Sequence, residues 1–176
     1  MRLSFITATG ILAATIASAQ NGFSGPGLYE IMNRKSTRMM ALDLQDRTSV
    51  IQIVSRSQEE QRWVVEPAPG GAFLIRSAVN GKALQITNNA RSAPVICARF
   101  DQNPAQLWRL EPVKDGDVII ASAAGGRVLD IPNGSNKEGL HIQIYDRDGD
   151  PNQLFVFHRV DERQEFDRER RLHWDK

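Results

Sequence analysis

Between Gly27 and Val160 the chain repeats itself three times, and few folds accommodate that. The first unit runs GLYEIMNRKSTRMMALDLQDRTSVIQIVSRSQEEQRWVVEP (27–67). The second is GGAFLIRSAVNGKALQITNNARSAPVICARFDQNPAQLWRLEP (70–112), and the third is GDVIIASAAGGRVLDIPNGSNKEGLHIQIYDRDGDPNQLFVFHRV (116–160). Three markers keep step through them. Opening strands begin at Leu28, Phe73 and Val118, spaced 45 and 45 residues. Leu-x-Leu/Ile strands begin at Leu42, Leu84 and Leu129, spaced 42 and 45. Each unit closes on a Gln-x-aromatic pair, Gln61/Trp63, Gln106/Trp108 and Gln153/Phe155, spaced 45 and 47. Such a period marks a unit that cannot bury its apolar face alone, so the copies must share a core.

Each unit holds about four short strand-type runs bounded by Gly, Asn, Asp, Ser or Pro. In the third unit these are Val118–Ser122, Val128–Ile131, His141–Tyr145 and Phe155–Arg159. No segment keeps helical periodicity over three turns, so the domain reads as all-β. A four-stranded period of this length also suits a propeller blade, but three blades are too few to close one. Three four-stranded units around a shared axis is the economical solution. The closing aromatics would then meet in the common core, each burying about 150–250 Å². The Gln beside each, on the other strand face, can brace the preceding turn through its amide.

The three Gln-x-Trp/Phe units, each with a Leu-Asp/Gln-Leu/Ile strand upstream, resemble the ricin B-type lectins. The resemblance implies a β-trefoil with pseudo-threefold symmetry over Gly27–Val160, and it implies sugar binding without catalysis. In that family a working site takes an Asp from the Leu-Asp-x strand and a polar residue two before a stacking aromatic. It also takes that aromatic, and the Asn-Gln before the core aromatic. The third unit fills every position, with Asp130, Gln143, Tyr145, Asn152 and Gln153.

The implied roles follow from chemistry. Asp130 accepts from two sugar hydroxyls and Asn152 donates to one of them, charge making the former bonds the stronger. Tyr145 stacks under the C–H face, Gln153 orients Asp130, and Gln143 lines the rim. The first unit keeps Asp43 and Gln52 but has Val54 and Glu60 at the aromatic and Asn positions. The second has Gln85, Ala98 and Ala105, with Phe100 two residues beyond the aromatic position. One site is expected, in the third unit. Galactose-type ligands are what the resemblance implies. A single shallow site implies about millimolar affinity, near −4 kcal/mol, so avidity would need a homo-oligomer or clustered glycans. The same fold also serves protease inhibitors acting through a surface loop, and polysaccharide-binding accessory modules.

Other function classes recede on the residues themselves. Lys plus Arg is 22 against 21 Asp plus Glu, a formal charge of +1 that leaves no electrostatic footprint for nucleic acid. The N-terminal MRLSFITATGILAATIASA has the charge, apolar run and small-residue end of a secretory signal peptide, with cleavage expected after Ala19. The expectation is therefore a secreted chain with no membrane insertion. Residues 161–176, DERQEFDRERRLHWDK, form a densely charged extension. Cys97, the single cysteine, sits in an apolar run and reads as a small buried hydrophobe. The DRDGD loop (Asp146, Asp148, Asp150) places Pro151 and Phe157 where a calcium-binding EF-hand needs Gly and Glu. No histidine has metal-ligand spacing, so neither metal nor cofactor is expected. Asn133-Gly134-Ser135 is the single N-glycosylation sequon. No nucleophile–base constellation is present, and Asp43 and Asp130, in different units, cannot form an acid/base pair.

Overall fold

The structure, a computed structural model, describes residues 22–160. The expected signal segment 1–19 and the extension 161–176 lie outside the described residues. The first unit supplies β1 (Gly27–Asn33), β2 (Met39–Leu42), β3 (Val50–Ile53) and β4 (Arg62–Pro67). The second supplies β5 (Phe73–Ser77), β6 (Ala83–Ile86), β7 (Val95–Ala98) and β8 (Trp108–Pro112). The third supplies β9 (Asp117–Ser122), β10 (Val128–Asp130), β11 (Leu140–His141), β12 (Gln143–Tyr145) and β13 (Phe155–Arg159). The only helices among the described residues are single 3-10 turns.

Antiparallel pairing runs β1–β4–β5–β8–β9–β13 and returns to β1, which closes a six-stranded barrel with two strands from each unit. The middle strands of each unit form outer hairpins: β2–β3, β6–β7 and β10–β12. The hairpins join at the axis through main-chain bonds. The Cys97 N–H donates to the Thr48 carbonyl, that of Ile142 to Val50, and that of Val95 to Ile142. This is the β-trefoil that the repeat and the resemblance implied.

The closing aromatics Trp63, Trp108 and Phe155 are fully buried in one cluster with Tyr29, Ile75 and Ile120. The indole N–H of Trp63 donates to the Met40 carbonyl and that of Trp108 to the Leu84 carbonyl, each at 2.9 Å. Burial of these polar tips is thereby satisfied. Cys97 is buried with them, and burial pushes its thiol up to about 12, which leaves it a packing residue.

The closing glutamines brace their turns by one rule in all three units. Each side-chain oxygen accepts the N–H five residues earlier, from Arg56, Asp101 and Asp148 respectively. Each amide donates to the carbonyl seven residues earlier, of Val54, Arg99 and Asp146. The braced turns pass through left-handed backbone at Ser57 (φ 50°), Gln102 (φ 67°) and Gly149 (φ 84°). Two of these are not glycine, so an external clamp is needed to hold them. Gln106→Leu is expected to release the Asp101 N–H and the Arg99 carbonyl, both on exposed residues that water can reach, and to cost about 0.5–1.5 kcal/mol. A lower urea midpoint at unchanged slope would show it.

Two expectations need correction. His141–Tyr145 is not one strand, because it changes partner at Ile142. Leu140 and His141 pair with Gln52 and Ile51 of β3, whereas Gln143–Tyr145 pair with β10. The first unit's register also shifts. Tyr29, not Leu28, stands opposite its closing Trp63, as Phe73 and Val118 stand opposite theirs. Met40, not Leu42, matches Leu84 and Leu129, since Met39, Ala83 and Val128 are the equivalent residues paired to the preceding strand. Strand pairing decides both shifts, and burial agrees on the first, since a one-residue shift changes face and Tyr29 is fully buried where Leu28 is half-buried.

Candidate functional site

Asp130 ends β10 directly opposite Gln143 of β12. Its residue is only 3% exposed, yet the carboxylate meets three amides. Gln143 Nε2 donates to Oδ1 at 2.8 Å, while Asn152 Nδ2 and Gln153 Nε2 donate to Oδ2 at 2.7 and 3.2 Å. Burial pushes the Asp130 carboxyl above the usual range, and the three amides pull it partly back. Asp130, Gln143, Tyr145 and Asn152 line a cavity of about 780 Å³ that Asp148, Asp150 and Lys35 also border. All five residues read from the third unit are thus brought together. Gln143 does more than line a rim, since it shares the carboxylate with Asn152 and Gln153.

Tyr145 follows Gln143 by two and therefore leaves the strand on the same side. The Arg91 guanidinium lies 4.3 Å from its ring centroid, and Arg91 in turn reaches Asp146 at 3.4 Å. Arg91 is not among the cavity's lining residues, so it backs the ring rather than filling the space. The Asp-rich loop serves this frame: Asp146 also pairs with Arg127 at 2.8 Å, and Asp148 Oδ1 accepts from the Asp150 N–H.

Several supports come from the other units. Asn33, buried in the first turn of unit one, donates through Nδ2 to the Asn152 and Leu154 carbonyls at 2.9 and 3.2 Å. Gln52, fully buried, donates through Nε2 to the Ser135 and Lys137 carbonyls, both at 2.8 Å. The second of these clamps fixes the segment that follows the cavity-wall residues Pro132, Asn133 and Gly134. Asn133 is exposed with left-handed backbone (φ 55°), so its sequon opens beside the cavity.

The other two units hold nothing equivalent. In the first, the position of Asp130 belongs to Ala41, and those of Gln143 and Tyr145 to Ile51 and Ile53. These three residues form a small apolar cluster of their own. Asp43, two residues beyond Ala41, instead accepts the Gln45 N–H within a turn. In the second, Gln85 accepts from Gln106 at 2.8 Å. Ala98 stands where Tyr145 does, while Phe100 lies under the Arg76 guanidinium.

Fold and site together define a β-trefoil with one polar cavity in its third unit. The profile of the ricin-type beta-trefoil lectin domain-like family matches residues 16–98 and 104–166, and the chain belongs to that family. Among curated proteins no sequence match was found. Similar solved structures include the designed threefold-symmetric protein ThreeFoil, 24% identical with a TM-score of 0.73 over 76% of this chain and 99% of that one. The ricin B-like lectin of Macrolepiota procera, solved with lactose, is 21% identical with a TM-score of 0.71, over 78% and 99%. The C-half of the earthworm R-type lectin, solved with GalNAc, is 22% identical with a TM-score of 0.60, over 77% and 100%.

Proposed function

We propose that this chain is a secreted, non-catalytic lectin that binds galactose- or N-acetylgalactosamine-type glycans through its third unit. One observation carries the reading. A buried carboxylate, Asp130, is held by the amides of Gln143, Asn152 and Gln153 at a cavity that Tyr145 also lines. The three amides occupy three of its roughly four lone-pair sites, so as held it offers one fixed site, on Oδ1, to a sugar hydroxyl, one fewer than the resemblance implied. The ring supplies the apolar surface that a sugar's C–H face needs. The choice of galactose type rests on family membership and on the lactose and GalNAc bound by two similar lectins. Secretion rests on the N-terminal pattern of charge, apolar run and small residues. The non-catalytic reading rests on the carboxylate being tied to three amides, with no second buried carboxylate lining the cavity.

The test is calorimetric titration of lactose and GalNAc into the purified protein and into Tyr145→Ala. Wild type should bind at about millimolar Kd, and the variant should lose about three- to tenfold, the upper part of the range of about 0.5–1.5 kcal/mol for an aromatic contact. Wild-type failure to bind any galactoside, or equal binding by the variant, would overturn the reading.

The raised Asp130 pKa gives a pH signature. Protonation removes the charged acceptor, so affinity should fall on acidification, beginning at higher pH than an ordinary aspartate would dictate. Stability moves the other way. A carboxylate with a raised folded pKa makes a stabilising contribution that is full below its unfolded value and lost as pH rises through the folded one. Lactose titrations stepped from pH 7 to pH 4 should show declining affinity while this group's share of stability grows.

A further inference from the structure

Beside the Asp130 cavity lies a second one of about 360 Å³, and the two share Ser92, Pro132 and Gln143 in their walls. Its other walls come from Pro94 and from the stretch of Lys137, Leu140, His141 and Ile142. That stretch is held firmly from another unit. β11 pairs with β3, the Gly139 N–H donates to the Gln52 carbonyl, and the Gln52 amide grips Ser135 and Lys137. The dividing wall is equally fixed, because Pro94 and Gln143 form an antiparallel bridge.

The two cavities differ in chemistry. The first sets the carboxylates of Asp130, Asp148 and Asp150, acceptors suited to sugar hydroxyls, against a single lysine, Lys35. The second has no carboxylate in its lining. Its charged side chain is Lys137, His141 adds an imidazole, and Leu140, Ile142 and the prolines supply apolar wall. A lysine ammonium donates three hydrogen bonds and accepts none, so this cavity selects a group rich in acceptors.

Building on the lectin reading, we infer that the two cavities form one groove for a saccharide of at least two units. The neutral sugar sits at Asp130, and the second cavity receives its neighbour, with preference for a sugar bearing an anionic substituent. Lys137 is the residue that sets this preference.

Three probes titrated into the full chain and into Lys137→Ala test it: methyl β-galactoside, lactose, and a disaccharide of galactose linked to glucuronic acid. The acidic disaccharide should bind wild type about three- to fivefold more tightly than lactose, the size of an exposed ion pair. That advantage should vanish in Lys137→Ala and in about 0.5 M salt, where the Debye length is only about 4 Å. Methyl β-galactoside should bind both proteins equally. If the galactoside binds but both disaccharides match it, the groove is overturned while the lectin reading stands. If the acidic preference survives Lys137→Ala, the assignment to Lys137 is overturned. If none of the three binds, the lectin reading fails and the groove with it.

Discussion

Asp130→Ala is expected to weaken lactose binding by about ten- to a hundredfold, from the loss of a charge-assisted hydrogen bond worth about 1.5–3 kcal/mol. It should also destabilise the fold, because three amide donors of Gln143, Asn152 and Gln153 would face a vacated space. Leaving a buried donor without a partner costs about 1–3 kcal/mol before relaxation, but Gln153 keeps the Asp146 carbonyl and the half-buried Asn152 and Gln143 can recover part of it from water. Asp130→Asn separates the two effects. It preserves the volume, but one end of its amide becomes a donor aimed at other donors. The side chain must therefore sacrifice either Gln143 on one oxygen's side or Asn152 and Gln153 on the other's. Binding should drop about as far as in the alanine variant, since the charge is gone, while the urea midpoint falls less. Asp130→Asn binding lactose within threefold of wild type (a threshold of about 0.7 kcal/mol) would mean the carboxylate is structural and the cavity recognises its ligand by other groups.

The third unit's site was legible because it is local. Asp130 and Gln143 face each other across one hairpin, Tyr145 follows on the same strand face, and Asn152-Gln153 precede that unit's own core aromatic. The closing glutamines were legible for the same reason, their partners lying five and seven residues back. What holds the site from outside was not. Asn33, Gln52 and Arg91 belong to the first and second units and reach the third by barrel closure and hairpin packing. No spacing within a unit announces a partner more than eighty residues away, as Gln52 is from Ser135.

The first unit misled in a way the sequence could have flagged. Its run MMALDL offers two overlapping strand frames, and the frame with Asp43 gave a spacing of 42 where every other marker gave 45 to 47. Shifting by two residues puts Met40 in step with Leu84 and Leu129. It also puts Ala41 at the site position. The absence of a first-unit site then follows from an apolar substitution, with Ala41, Ile51 and Ile53 packed together.

Trp108→Ala is expected to be the costliest single truncation for the fold. The side chain is fully buried in the shared core, and its N–H satisfies the Leu84 carbonyl at 2.9 Å. Large-to-small substitution at such a site costs about 3–5 kcal/mol, against a total stability of about 5–15 kcal/mol for a domain. At this size each kcal/mol shifts Tm by about 2–4 °C, so a fall of about 6–20 °C should appear in a thermal melt. Trp108→Phe divides the loss, because the third unit already runs on Phe155 at the equivalent place. It keeps most of the ring and gives up the indole bond, so its cost should stay near about 1–3 kcal/mol. Binding makes the comparison sharper. None of the bonds that hold Asp130 comes from β8, so folded Trp108→Ala should bind lactose as wild type does. Phe155→Ala opens the core two residues from Gln153, which holds both Asp130 and the Asp148 turn. It should lose stability and affinity together. If Trp108→Ala cost less than about 1 kcal/mol, the core would not depend on its closing aromatics in the way their complete burial requires.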